Sequence, residues 1–182
     1  MIPYGNHEAL AWVAIGSNQG AVWCHIKRAM GLLQRHWRIS LLRCSPWYWT
    51  EPVGVRRQPW FINGVVVVTT TLSPLPLLHL LQRIECRCGR NRHREQRWGS
   101  RPLDLDLLLY GTQGQTIIRS ASLTLPHPRL HRRRFVLQPL ADLAPDLIHP
   151  LRGKTVDRLL VAVDDPNSVV RVSRRRQQCD DL

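Results

Sequence analysis

RWGSRPLDLDLLLY, residues 97–110, sets two carboxylates inside an otherwise apolar run. A strand turns successive side chains to opposite faces, so Leu103, Leu105, Leu107 and Leu109 should share one face and Asp104, Asp106 and Leu108 the other. The two aspartates then stand roughly 7 Å apart at Cα and repel one another unless a cation joins them. Either arginine or a metal ion would serve.

Composition sets the outer limits. The chain has 182 residues, enough for one domain with a sizeable core. Its net charge of +13 points to an anionic partner: nucleic acid, an anionic membrane surface or a phosphorylated small molecule. Lys27 and Lys154 are the only lysines, and the arginines that carry the rest favour forked contacts with phosphate. Five cysteines without C-x-x-C spacing indicate neither a disulfide framework nor a zinc site. No basic region precedes an apolar stretch at the N-terminus, so a cytoplasmic protein is expected. Gln58 to Gln82 lacks Lys, Arg, Asp and Glu, yet its prolines, Asn63, Gly64 and His79 fit a strand followed by a helix better than a membrane span.

Working outward from the acidic strand, FINGVVVVTT (61–70) is the strongest strand in the chain. AWVAI (11–15) is a short buried strand that runs into Gly16-Ser17-Asn18, and Val22, Ile26, Ala29, Met30 and Leu33 follow at helical spacing. Arg38 to Trp49 is extended, with an interruption at Ser45-Pro46. Ser73-Pro74 marks a helix start and Gly89 its stop. The order strand, helix, two strands, helix, strand predicts an α+β ferredoxin-like sandwich, a mainly antiparallel sheet with helices on one face and the active site on the other. Residues 1–10 read as an N-terminal extension, 11–171 as a single domain, and 172–182 as a charged, disordered tail.

Seven collinear blocks carry a resemblance: G-S-N (16–18), Y-x-T-x-P-V-G (48–54), Q-P-W-F-I-N (58–63), I-E-C-R-C-G-R-N-R (84–92), the acidic strand with its flanks (97–111), L-P-H-P-R (125–129) and R-R-F-V-L-Q-P-L (133–140). Together they resemble the 6-hydroxymethyl-7,8-dihydropterin pyrophosphokinases of folate biosynthesis. The resemblance implies a monomeric enzyme that transfers the β,γ-diphosphate of ATP to the hydroxymethyl group of a reduced pterin and releases AMP, with no nucleic acid or membrane partner. Asp104 and Asp106 would hold two Mg²⁺ ions with the ATP phosphates. Arg90, Arg92, Arg97 and Arg101 would be catalytic, facing the triphosphate, and Gln82, Glu85, Trp98, Leu107, His127 and Arg133 would join Arg92 on the ATP side. Thr50, Val53, Phe61, Asn63, Asp104 and Phe135 would receive the pterin, the two phenylalanines stacking on its ring. Residues 88–101 would form a lid that orders over bound substrates, and Ser100 stands where proline is common in the family.

Two rival readings have specific signatures. A basic ferredoxin-like sheet could bind RNA, but the K/R-G-F/Y aromatic motif of such sheets is absent, and bare Asp104 and Asp106 would repel a phosphate backbone. An inactive relative should have lost its ligand-lining motifs first, and here they are intact.

Overall fold

The computed structural model describes residues 8–54, 57–91 and 98–173. The expectations for Arg92 and Arg97, for residues 92–97 of the 88–101 lid and for the tail from 174 lie outside them.

The central sheet is built on β4 (Phe61–Thr70), whose run of valines suits a pleated, two-sided surface. Antiparallel to it lies β1 (Ala9–Ser17), and β5 (Asp104–Tyr110) pairs antiparallel with the other edge of β1. On the far side of β4, β2 (Ile39–Cys44) and β3 (Tyr48–Thr50) share one edge end to end, the gap falling at the expected Ser45-Pro46 interruption. Ser45 fills that gap: its N–H donates to Val65 O and its hydroxyl accepts from Val65 N–H, each at 2.9 Å. Trp47 covers Gly64, where a Cβ would lie 2.7 Å from the indole, so only glycine fits there.

Helices α1 (Val22–Gln34) and α2 (Pro74–Arg87) cover one face with Ile26, Leu33, Leu77, Leu81 and Ile84, packed on Val13, Ile15, Ile62, Val66 and Leu105. Ser73 is the N-cap of α2 and Pro74 its first residue, although the Ser73 hydroxyl makes no capping bond. The opposite face carries a second core: α3 (Arg134–Leu143) and α4 (Val156–Ala162) bring Val136, Leu137, Leu140 and Leu159 onto Trp12, Val65 and Val67. Helices thus pack on both faces of the sheet, and the expected division holds only where α3 and α4 leave the second face open. Arg43 donates to Leu143 O and so caps the C-terminus of α3 with a cation.

Two further expectations are corrected. Trp12 pairs with Leu109 but Val13 pairs with Leu107, so Leu108 is the extra residue of a bulge. The bulge turns Leu109 away from Leu103, Leu105 and Leu107 and into the core with Leu108 and α3. The structured chain also runs past the expected boundaries of residues 11 and 171, since β1 starts at Ala9 and Val172 is buried, its N–H bonded to Trp47 O at 2.9 Å; inside those boundaries, the short strand Val169–Arg171 pairs with β3 as the edge strand. Among the described residues no helix is long and apolar enough to cross a membrane.

Candidate active site

Asp104 and Asp106 lie on one side of β5, beside Gly16 and Ala14 of β1, on the part of the sheet that α3 leaves open. Each carboxylate meets cations. Asp104 Oδ1 accepts from Arg90 Nη1 at 2.5 Å and Oδ2 from Arg101 Nη1 at 3.1 Å; Asp106 Oδ2 is 3.4 Å from Arg133 Nη1 and 3.7 Å from His127 Nε2. Burial works against the Asp104 carboxylate, but Arg101 and Arg90 outweigh it and hold the group below its ordinary pKa. Asp106 is pushed up, by burial first and by the Asp104 charge second. Burial also holds His127 below its usual value, against the pull of Asp106. The Arg129 N–H donates to His127 Nδ1 at 3.3 Å, which leaves the proton of the neutral ring on Nε2, toward Asp106. Asp104 is thus already neutralised by its two arginines, whereas the Asp106 charge is only partly compensated.

Arg90 reaches Asp104 because of how α2 ends. Gly89 takes φ +93°, its N–H bonds to Cys86 O and the Arg90 N–H to Glu85 O, each at 3.0 Å, the paired bonds of a glycine helix stop. Glu85 then fixes the guanidinium. It is fully buried, accepting from Arg90 Nη1 at 2.5 Å and from the Leu105 N–H at 2.8 Å. Of the two α2 residues expected on the ATP side, Gln82 is half-buried, whereas Glu85 sits inside the protein as the support of Arg90. Leu107 is buried on the α1 and α2 side of β5, across the strand from the carboxylates.

All six residues assigned to the pterin side, Thr50, Val53, Phe61, Asn63, Asp104 and Phe135, line a single open recess. Arg101, Arg133 and Trp98 also border it. Phe61 and Phe135 are only partly buried, as ring faces offered to a ligand must be. Asn63 Nδ2 donates to Thr50 Oγ1 at 2.6 Å, which fixes the amide. Gly16 makes room for it, since a Cβ there would lie 2.4 Å from Asn63 Oδ1.

Residues 12–145 match the family model described as 7,8-dihydro-6-hydroxymethylpterin-pyrophosphokinase. The 2-amino-4-hydroxy-6-hydroxymethyldihydropteridine pyrophosphokinase of Pseudomonas aeruginosa is 44% identical over 83% of this chain and 90% of its own, and that of Bacillus subtilis 35% over 95% of each. The chain belongs to this family. It is a pyrophosphokinase, which decides against the RNA-binding reading of its charge. In fold it is similar to the Plasmodium falciparum HPPK-DHPS structure, at 14% identity and a TM-score of 0.68, spanning 87% of this chain and 46% of that one.

Three residues that sequence reasoning did not assign to the pyrophosphokinase site organise its rim. Asn18, buried at the end of β1, donates through Nδ2 to Gln58 Oε1 at 3.1 Å, Pro59 O at 2.9 Å and Ser100 Oγ at 3.4 Å, and accepts from the Arg101 N–H at 2.8 Å. Gln58 Nε2 in turn donates to Trp98 O at 2.9 Å, and Ser100 Oγ to Gln58 Oε1 at 3.1 Å. Asn18 thereby joins the end of β1, the 58–59 turn and the 98–101 segment. The G-S-N and Q-P-W-F-I-N blocks mark Asn18 and Gln58, but only the folded chain shows that they meet.

Proposed function

We propose that this pyrophosphokinase transfers the β,γ-diphosphate of ATP to the hydroxymethyl oxygen of 6-hydroxymethyl-7,8-dihydropterin and releases AMP, with the pterin in the Thr50–Phe135 recess. The observation that carries the reading is the convergence of the six pterin-side residues on one recess with Asp104 in its wall. The hydroxymethyl oxygen bonds to the β-phosphorus as the bond from that phosphorus to the α,β-bridging oxygen breaks, so AMP leaves with the bridging oxygen. Such a transfer asks the protein for position and charge more than for covalent participation.

The donor set fits Mg²⁺, which is commonly held by one or two carboxylates together with substrate phosphates. Asp104 and Asp106 would hold it, and it would supply charge neutralisation at the transferred phosphates and orientation of the attacking hydroxyl. Arg101 would turn from Asp104 to the triphosphate as a forked donor when ATP arrives, Arg90 would face the same phosphates from its seat on Glu85, and Arg133 and His127 would act from beside Asp106. Arg92 and Arg97 are proposed for the same phosphates from their place in the motif, and Gln82 and Leu107 for the adenine side along α2 and β5. Phe61 and Phe135 would stack on the pterin, and Thr50, Val53 and Asn63 would meet its edge. We further infer one catalytic domain, acting as a monomer in the cytoplasm. The assay is AMP release from ATP with Mg²⁺, in the presence and absence of the pterin. Strict pterin dependence is the expected result, and its absence overturns the reading.

Phe61→Ala and Phe135→Ala should each weaken pterin binding by about 1–3 kcal/mol with ATP-analogue affinity unchanged, measured by calorimetric titration. Unchanged pterin affinity in both would return the rings to a packing role. Gly16→Ala should displace the Asn63 amide from Thr50 and weaken pterin binding by about 1 kcal/mol in the same titration. Full affinity there would mean that Asn63 does not meet the ligand.

A further inference from the structure

Arg129 stands two residues beyond His127, exposed at the phosphate-side rim, and its side chain takes no part in the site as assigned so far. Its guanidinium lies over the indole of Trp98, with Cζ 4.7 Å from the ring centroid, well inside the range of a cation–π contact. Trp98 is held on two more sides. Its carbonyl accepts from Gln58, and its side chain rests against Gly54, where a Cβ would lie 3.5 Å from the Trp98 Cβ and Cγ. Trp98 also has φ +67°, a backbone setting that a bulky residue keeps only when its surroundings enforce it. Gly54 and Gln58 belong to the loop between β3 and β4, on the pterin side, while Arg129 follows the short strand Thr124–Leu125 on the Asp106 side.

We propose that Arg129 is a positioning residue whose stacking on Trp98 clasps the pterin loop to the phosphate loop across the mouth of the recess. The inference rests on the diphosphokinase reading of the site, which supplies the two substrates that the clasp brings into register. Arginine suits the task because its guanidinium is flat, always charged and weakly hydrated, so it can lie on a ring at the surface without being drawn off into solvent. A direct contact between Arg129 and an ATP phosphate is the competing role, and the two roles differ in what depends on Trp98.

The test is a cycle of Arg129→Gln, Trp98→Leu and the double variant, read as kcat/KM for each substrate. Arg129→Gln should lower kcat/KM for ATP and for the pterin by the same factor, about threefold to thirtyfold, because the clasp spans both sides. In the Trp98→Leu background the same change should cost less than about twofold. Additive losses, or a loss confined to the KM of ATP, would overturn the clasp in favour of a phosphate contact. A second readout needs no turnover. In protein labelled with fluorotryptophan, the Trp98 resonance, identified by its loss in Trp98→Leu, should move in Arg129→Gln while the other tryptophan signals stay. An unmoved resonance would reject the clasp whatever the enzyme's activity.

Discussion

Asp106→Asn and Asp104→Asn are each expected to lower turnover at least about a hundredfold while the fold survives. Each substitution removes one of the two charged oxygen donors on the open face of β5, and the amide that replaces it can neither balance a dication nor counter the arginines that crowd it. Stability should move in a different way. Asp106 is raised in pKa by burial and by Asp104, so part of its charge is a liability in the ligand-free protein; losing it should change the melting temperature by no more than about 3 °C. The dissociation of the two effects is the point: a residue kept for folding would lose both together. Steady-state AMP release at saturating Mg²⁺, beside thermal unfolding of the same preparations, gives both numbers. Near-normal turnover in either variant would remove that aspartate from the metal assignment.

Glu85→Ala should be the most destabilising single change at the site, costing about 3–5 kcal/mol and lowering the melting temperature by about 10 °C. Glu85 has no exposed side-chain surface and Arg90 has 6%, so the lost carboxylate leaves a nearly buried guanidinium with half its neutralisation and the Leu105 N–H without its acceptor. Glu85→Gln should fall between, because the amide oxygen can still accept from Leu105 while the charge complement of Arg90 is gone. Turnover should fall along the same series, since Arg90 is aimed at Asp104 by Glu85. Calorimetric or circular-dichroism melts decide the point, and a Glu85→Ala melting temperature within about 2 °C of the parent would show that the buried pair does not matter to folding.

The parts of this site that were legible in the sequence are those governed by local period or by a local backbone demand. Two-residue alternation was enough to put Asp104 and Asp106 on one face, the valine run marked β4 to the residue, and the glycine after α2 announced the turn that launches Arg90. Leu109 escaped because a bulge breaks that alternation one residue earlier, and nothing in a leucine run marks where the extra residue falls. Neither α3 nor α4 was anticipated as a second helical layer: α3 opens on arginine and carries Pro139 inside it, and α4 is only seven residues long. The edge strand Val169–Arg171 is three residues long, and its pairing with β3 is remote in sequence. The roles of Glu85, Asn18 and Gln58 depend on partners up to 83 residues away, and no spacing rule encodes such contacts.

Whether the recess and the two aspartates transfer a diphosphate and not a single phosphate is decided by ATP labelled only on its β-phosphorus. Incubated with the enzyme, Mg²⁺ and 6-hydroxymethyl-7,8-dihydropterin, the label should pass entirely to the pterin ester and leave unlabelled AMP. Label retained in ADP would mean transfer of a single phosphate and would overturn the diphosphokinase assignment.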